Sequence, residues 1–307
     1  MTHIFQVGAG SGGIVVLDLL ARDVRVTRVT LVEPDVYKPH NVHRHVFPPA
    51  AVGRLKAELA AEWLKERRPD LDVETLAADI TDPARQPEFE KLATGCDVGV
   101  CAVDSEPAKY HFDALMRKAG KPWTLGEVLS GGIGGWVHRF GPGGPCYGCV
   151  ASHLQRTVTE QPTGPAPDYS NPGGPVAETT VPAPKASIEV IAGLHAVVTL
   201  EVLASREQRD GRTPGVGGGT GEPQAPARGS PETNPVAGAP GSPGADFTSL
   251  LFTLSRVPGV FEDAFRPYRF RIPKSQACLI CSAVPATAAG EDLDVALDQA
   301  LARLGNE

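Results

Sequence analysis

Short apolar runs alternate with amphipathic stretches along the first 140 residues of the chain. The runs at residues 4–7, 26–32 and 98–103 are rich in β-branched side chains, which is typical of buried strands. Strands separated by helical stretches predict an α/β fold: a Rossmann-like, mainly parallel sheet with helices on both faces. Ligands bind such sheets beyond the carboxyl ends of the strands. The other elements predicted here are strands at 73–78 and 123–128 and helices at 14–21, 50–67, 87–93 and 107–119.

A stretch rich in glycine and proline interrupts the second half of the chain. Residues 211–244 hold 10 glycines and 7 prolines, and only Val216 and Val236 are sizeable apolar side chains. Such a stretch buries too little apolar surface to offset its ordering entropy, so we predict a disordered insertion. Leucines at helical spacing near the C-terminus predict an amphipathic helix, docked on its own domain or on a partner. The predicted organisation is one domain made of residues 1–210 and 246–283, an insertion at 211–245, and a tail at 284–307.

Composition and charge narrow the classes of function. The 307 residues are 41% hydrophobic and carry a formal net charge of −7. This negative charge argues against a protein that mainly binds the phosphates of nucleic acids. No run of about 18 uncharged apolar residues occurs, so we expect no membrane span. Met1 leads within a few residues into a strand-like run rather than a secretory signal, so we expect the protein in the cytoplasm.

A glycine-rich segment follows the first predicted strand and opens the first helix. Gly8, Gly10 and Gly13 match the G-x-G-x-x-G pattern, and Gly12 adds a further glycine. Glycines here permit a tight turn and let backbone N–H groups approach phosphates at the helix N-terminus. Glu33 follows the second strand, where a carboxylate accepts hydrogen bonds from ribose hydroxyls. This segment predicts nucleotide binding, and taken alone it also suits an NAD-dependent oxidoreductase.

Further polar residues at fixed spacing point away from a dehydrogenase. They are Asp35 beside Glu33, the pair Asn41 and Arg44, Lys56 three residues after Gly53, and Asp104 after the fourth strand. This pattern resembles the ThiF/MoeB/HesA family, the adenylating enzymes that include ubiquitin-activating enzymes. The resemblance covers residues 4–150 best, 177–205 moderately, and the last cysteine pair. It implies a Rossmann-like half followed by an antiparallel C-terminal half.

The resemblance implies adenylation with ATP and Mg²⁺. The substrate would be the C-terminal glycine carboxylate of a ubiquitin-like or sulfur-carrier protein, with pyrophosphate released. A carboxylate that approaches a triphosphate needs fixed cations and a metal to relieve repulsion. Arg44, Lys56 and Asp104 are the candidate catalytic residues. The implied nucleotide contacts are Gly8, Gly10, Gly12 and Gly13 with the phosphates, Glu33 with the ribose, Asn41, Arg44 and Lys56 with pyrophosphate, and Asp104 with Mg²⁺; Asp35, the second residue of the acidic pair, is a further candidate nucleotide contact.

Four of the six cysteines form two C-x-x-C pairs. Cys146 and Cys149 are separated from Cys278 and Cys281 by 128 residues, far more than in a zinc ribbon. Spacing alone leaves a redox role open, but the family resemblance implies a structural zinc site with these four cysteines as ligands, in the C-terminal half. The other two cysteines, Cys96 and Cys101, lie in or beside a buried strand, where we expect them to act as inert small hydrophobes. A metal site formed by His40, His43 and His45 is a weaker alternative.

Two departures from the family pattern affect the expected reaction. Residues 161–185, where many ubiquitin-activating enzymes carry a catalytic cysteine, contain none. The adenylate is then the delivered product, or Thr179 or Thr180 forms an oxyester. Only Met1, Thr2 and His3 precede the first strand, so we expect no N-terminal arginine arm of the kind that family homodimers exchange.

Partners and rival functions follow from the same resemblance. We expect a homodimer that hands the activated carrier to a conjugating enzyme or a sulfur donor. Alternatives within the family are adenylation of a peptide or of a tRNA adenosine, and an adenylation-inactive scaffold partner. The acidic net charge weighs against the tRNA substrate.

Overall fold

The computed structural model describes residues 2–154, 182–209 and 247–282. The predicted insertion at 211–245, the tail helix, Thr179, Thr180 and most of the 161–185 loop lie outside the described residues.

A single eight-stranded sheet organises the described residues, in the order β3-β2-β1-β4-β5-β6-β7-β8. The first five strands in this order run parallel, and the last three pairings, from β5 to β8, are antiparallel. The predicted fold class is therefore confirmed. The strands are β1 (Thr2–Val7), β2 (Val26–Val32), β3 (Asp72–Leu76), β4 (Val98–Cys101), β5 (Trp123–Val128), β6 (Gly134–Phe140), β7 (Ser249–Thr253) and β8 (Pro267–Phe270).

Helices cover both faces of this sheet. Neighbouring residues of β1 point to opposite faces, as a strand requires: Ile4 packs with α1, α2 and α6, and Phe5 packs with α3, α4 and α5. The helices are α1 (Ser11–Ala21), α2 (Lys56–Arg67), α3 (Gln86–Gly95), α4 (Glu106–Lys118), α5 (Tyr147–His153) and α6 (Lys185–Arg209).

The predicted start of the second helix at residue 50 is wrong, because α2 begins only at Lys56. Pro48 and Pro49 open a separate short 3-10 turn that ends at Ala51. Gly53 then adopts φ +95°, a left-handed conformation that no α-helix contains. The chain therefore changes direction before the helix starts.

The long helix α6 crosses the sheet face beside α1. By length and composition its residues Lys185–Gln208 are apolar enough to cross a bilayer, since an 18-residue window within them has a mean hydropathy of 1.7. Its apolar residues Ile191, Ala192 and Ala196 are buried against the sheet and α1, so packing in the protein core accounts for this composition.

Candidate functional site

The glycine loop is shaped by the carboxyl end of β4. Gly8 has φ +94°, and a Cβ there would overlap the carbonyl oxygen of Ala102. A Cβ on Gly13 would lie 2.5 Å from the Gly8 carbonyl oxygen. Gly10, by contrast, has no heavy atom within 4 Å of its Cβ position. Gly8 and Gly13 therefore allow the loop to pack, and Gly10 leaves open space in front of α1.

Two buried side chains that the sequence did not single out for this role hold the loop in place. The amide Nε2 of Gln6 donates to the carbonyls of Gly8 (2.9 Å) and Gly13 (2.8 Å). The Nε2 of His45 lies 3.0 Å from the carbonyl of Ala9. Burial lowers the pKa of His45 to about 4, so near pH 7 its ring is neutral and Nε2 is the donor. The loop is thus preorganised from both sides.

The two acidic residues after β2 are placed differently from each other. Glu33 is only 4% exposed, and its carboxylate accepts from the backbone N–H of Ala9 and from that of Asp35. Burial raises the pKa of Glu33, while Lys56 and these hydrogen bonds oppose the rise. The Asp35 side chain is 55% exposed and pairs with Lys56 at 2.8 Å, whereas Glu33 lies 3.9 Å from the same ammonium. Glu33 braces the loop, and Asp35 faces outward.

The Asn41 and Arg44 pair forms a compact turn beside this group. Asn41 is buried, and its Oδ1 accepts from the backbone N–H of Lys38. Its carbonyl accepts from the backbone N–H of Arg44. The half-buried Arg44 and the buried Lys56 both lie near enough to His45 for their charges to lower its pKa. Two cations therefore lie near the His45 ring that contacts the glycine loop.

Asp104 lies at the same edge of the sheet, between the end of β4 and the start of α4. Its side chain is exposed and forms no hydrogen bond or ion pair within the described residues. Since β1, β2 and β4 are parallel neighbours, their carboxyl ends bring the glycine loop, Glu33, Asp35 and Asp104 to one edge. The structure thus gathers the predicted site residues there.

A buried network that the sequence did not predict fixes the first turn of α4. The ammonium of Lys109 contacts Glu106 (2.6 Å) and Glu127 (2.7 Å). Burial would lower the pKa of Lys109, but these carboxylates hold it above its ordinary value. The hydroxyl of Tyr147 donates to Glu106, two residues after Asp104. Most of these contacts join elements far apart in sequence, so no local pattern predicts them.

The two C-x-x-C pairs meet in one cluster. Their four sulfur atoms lie within 4.8 Å of one another, and the Sγ–Sγ distances include 3.5 Å for Cys146 to Cys278 and for Cys149 to Cys281. Tetrahedral zinc with bonds of about 2.3 Å requires sulfur separations of about 3.8 Å, so the cluster suits zinc and is too open for disulfides.

The three candidate histidines and the two remaining cysteines form no metal site in the described part of the chain. His40, His43 and His45 are not brought together as a ligand set, since the four cysteines are the one group of metal-ligand geometry in the described part of the chain. Cys96 and Cys101 are fully buried, and burial raises the pKa of each to about 12. Their thiols are therefore protonated near pH 7, in keeping with the expected role as small hydrophobes.

Known proteins resemble this chain in sequence over about half of its length. SAMP-activating enzyme E1 of Haloferax volcanii is 31% identical over 150 residues, which cover 48% of this chain and 53% of that protein. Ubiquitin-like modifier-activating enzyme 5 of Oryza sativa subsp. japonica is 26% identical over 154 residues, which cover 47% of this chain and 36% of that protein. The chain spans about half the length, or less, of these curated relatives.

Solved structures share the fold. The microcin C7 biosynthetic enzyme MccB in complex with N-formylated MccA has a TM-score of 0.60 at 15% identity, with 92% of this chain and 67% of that chain covered. E. coli MccB with ATP has a TM-score of 0.58, also at 15% identity, with the same coverage. The sequence model of the ThiF family matches residues 1–215 of this chain. The chain therefore belongs to the ThiF family.

Proposed function

We propose that this protein uses Mg·ATP to adenylate the C-terminal carboxylate of a ubiquitin-like or sulfur-carrier protein. The observation that carries the proposal is the gathering of the glycine loop, Lys56 and Asp104 at one edge of a ThiF-family sheet. The names of the two sequence relatives, a SAMP-activating enzyme and a ubiquitin-like modifier-activating enzyme, support the choice of substrate.

The triphosphate is proposed to lie in front of α1. Backbone N–H groups in the first turn of this helix, together with the open space at Gly10, suit phosphate oxygens. Arg44 and Lys56 supply fixed positive charge beside the same loop. Arg44 suits a two-oxygen contact through its planar guanidinium, and Lys56 acts as a point charge. Asn41 sets the turn from which Arg44 extends.

The ribose contact is assigned to Asp35 rather than to Glu33. The buried Glu33 carboxylate already accepts two backbone N–H groups, so its role is to brace the loop. The exposed Asp35 carboxylate has oxygen lone pairs that face solvent and suit sugar hydroxyls. Its ion pair with Lys56 also sets the position of that ammonium.

Asp104 is proposed as the residue that holds Mg²⁺. An exposed carboxylate with no partner among the described residues suits this ion, which keeps several waters and takes one or two protein carboxylates. Bound Mg²⁺ would neutralise charge on the phosphates. A carrier carboxylate oxygen then attacks the α-phosphorus. The bond from this phosphorus to the bridging oxygen breaks, pyrophosphate leaves, and an acyl-adenylate remains.

The adenylate itself is proposed as the product that the protein delivers. The four clustered cysteines are proposed to be zinc ligands, and Cys96 and Cys101 are buried thiols. None of the described cysteines is therefore placed as an acyl acceptor. A conjugating enzyme or a sulfur donor would receive the acyl group. An oxyester on Thr179 or Thr180 remains a second route, and mass spectrometry after incubation with ATP and carrier detects its adduct.

Carrier-dependent exchange of labelled pyrophosphate into ATP tests the proposal directly. We expect exchange with a carrier encoded beside the gene and none with the Asp104→Ala variant. Absence of exchange with every such carrier, in protein that contains stoichiometric zinc, would refute adenylation. Titration of NADH fluorescence against the same protein tests the oxidoreductase alternative, which assigns no role to Lys56 or Asp104.

A further inference from the structure

The start of α6 lies against the glycine loop, although more than 170 residues separate the two in sequence. A Cβ on Gly12 would lie 3.4 Å from Cγ2 of Ile188, in the first turn of α6. Gly132, just before β6, also packs closely against Pro184 and Ser187 at the start of this helix. The first turn of α6 is therefore fixed at the edge of the sheet that carries the site.

Lys185 is the first residue of this helix, and its charge acts on the loop. Its side chain is 37% exposed and pairs with Glu189, which is 46% exposed, at 2.6 Å. The positive charge of Lys185 lies near enough to His45 to lower the pKa of that ring, which contacts the carbonyl of Ala9 in the loop. Three cations from three separate segments, Arg44, Lys56 and Lys185, thus lie near the His45 ring, which contacts this loop.

Local helix energetics do not explain a lysine at this position. A positive side chain in the first turn opposes the positive end of the helix dipole, where acidic residues are favoured. The contact with Glu189 is an exposed i,i+4 pair, which contributes little to stability. Residues that break a local rule without a compensating gain in stability are expected at functional sites.

We propose that Lys185 is a third cation for the triphosphate, which exchanges its contact with Glu189 for phosphate oxygens when ATP binds. This inference rests on the proposed adenylation site and adds to it a residue from the second half of the domain. Lys185 would neutralise charge on the phosphate chain in the bound nucleotide and on the departing pyrophosphate. The family-matching residues Arg44 and Lys56 would then act together with a cation that enters from α6.

Two substitutions on α6 test this role. Lys185→Ala removes the cation, and Glu189→Gln removes its partner but keeps the cation. Both break the same exposed ion pair, so thermal unfolding should change equally little in the two variants. We expect Lys185→Ala to weaken binding of a fluorescent ATP analogue about 10-fold or more, the loss of a charge-assisted contact, and to slow pyrophosphate exchange. Glu189→Gln should bind the analogue as the wild type does or more tightly, and Lys185→Arg should restore much of the binding.

The outcomes separate this inference from the proposed function. If Lys185→Ala and Glu189→Gln bind the analogue equally well, the inference is overturned whether or not the wild type exchanges pyrophosphate. If the wild type shows no exchange but Lys185→Ala still weakens analogue binding selectively, adenylation fails and Lys185 stands as a nucleotide contact. If the wild type does not bind the analogue, both are overturned.

Discussion

Replacing Glu33 with Gln removes one negative charge beneath the glycine loop and leaves the shape of the side chain nearly unchanged. In the wild type, one carboxylate oxygen accepts from the N–H of Ala9 and the other from the N–H of Asp35. A glutamine has one acceptor oxygen and one donor amide, so in either orientation a donor faces a backbone donor. At least one buried hydrogen bond is therefore lost.

The expected loss of unfolding free energy in Glu33→Gln follows from these contacts. Loss of a hydrogen bond to a charged group costs about 1.5–3 kcal/mol of unfolding free energy. Lys56 also loses a negative charge 3.9 Å away. Against this, burial disfavours the charged form of Glu33 and raises its pKa, so a neutral side chain regains part of the cost. We expect a net loss of about 2 kcal/mol of unfolding free energy.

Asp35→Asn is the matched control. Its side chain is 55% exposed, so solvent weakens its ion pair with the buried Lys56. Glu33 also stays 3.9 Å from the same ammonium as a second negative charge, so we expect the loss of the Asp35 charge to cost only about 1 kcal/mol of stability. Urea unfolding at pH 7 and binding of a fluorescent ATP analogue should separate the variants. Glu33→Gln should shift the unfolding midpoint, and Asp35→Asn should mainly weaken nucleotide binding. Wild-type stability of Glu33→Gln combined with lost ATP binding would refute the assignment of Glu33 as a brace.

Three further predictions use other parts of the structure. Gly8→Ala should lower the free energy of unfolding several times more than Gly10→Ala does, because only Gly8 of the two has a positive φ and a carbonyl at its Cβ position. Gly10→Ala should mainly weaken ATP binding. Equal urea midpoints for the two variants would contradict this. Atomic absorption should find one zinc per chain, and Cys278→Ser should lower both zinc content and thermal stability. Burial lowers the pKa of His45 and of His195 in the folded protein to about 4, below the ordinary value of 6.5. Between pH 6.5 and pH 4 the unfolded chain therefore binds more protons than the folded protein, and stability falls as the pH drops. Each should contribute about 2 kcal/mol of this loss between pH 7 and pH 5, and a flat urea midpoint across this range would contradict it.

The parallel half of the fold could be predicted because its signals are local. The apolar run of β2 is encoded by adjacent residues, and the glycine loop is recognisable by its spacing directly after β1. The start of α2 was misplaced because residues 50–55 have helical apolar spacing, while the left-handed Gly53 and the two prolines before it decide the backbone path. Backbone conformation at a few positions overrode the periodicity there.

The supporting residues of the site could not be predicted from the sequence, because each acts through a partner that only the fold brings near. Gln6 carries no signal as a loop brace, since an isolated polar residue in a strand is usually solvated. His45 reaches the loop across 36 residues, and Tyr147 reaches Glu106 across 41. Lys185 follows a long connection and joins the site only when α6 packs on α1. The sequence identified candidate ligand-contacting residues, and the fold supplied what holds them.

The cysteine cluster has a consequence for how the protein is made. Strands β1 to β5 and the helices between them lie within residues up to 128, but α6, which covers one face of their sheet, comes only at Lys185–Arg209. The pairing of β6 with β7 waits longer, for residues 249–253, and the metal-ligand set waits for Cys281. Cys146 and Cys149 leave the ribosome more than 120 residues before their partners. We therefore expect the proposed zinc site to form last, only after nearly the whole chain has been made.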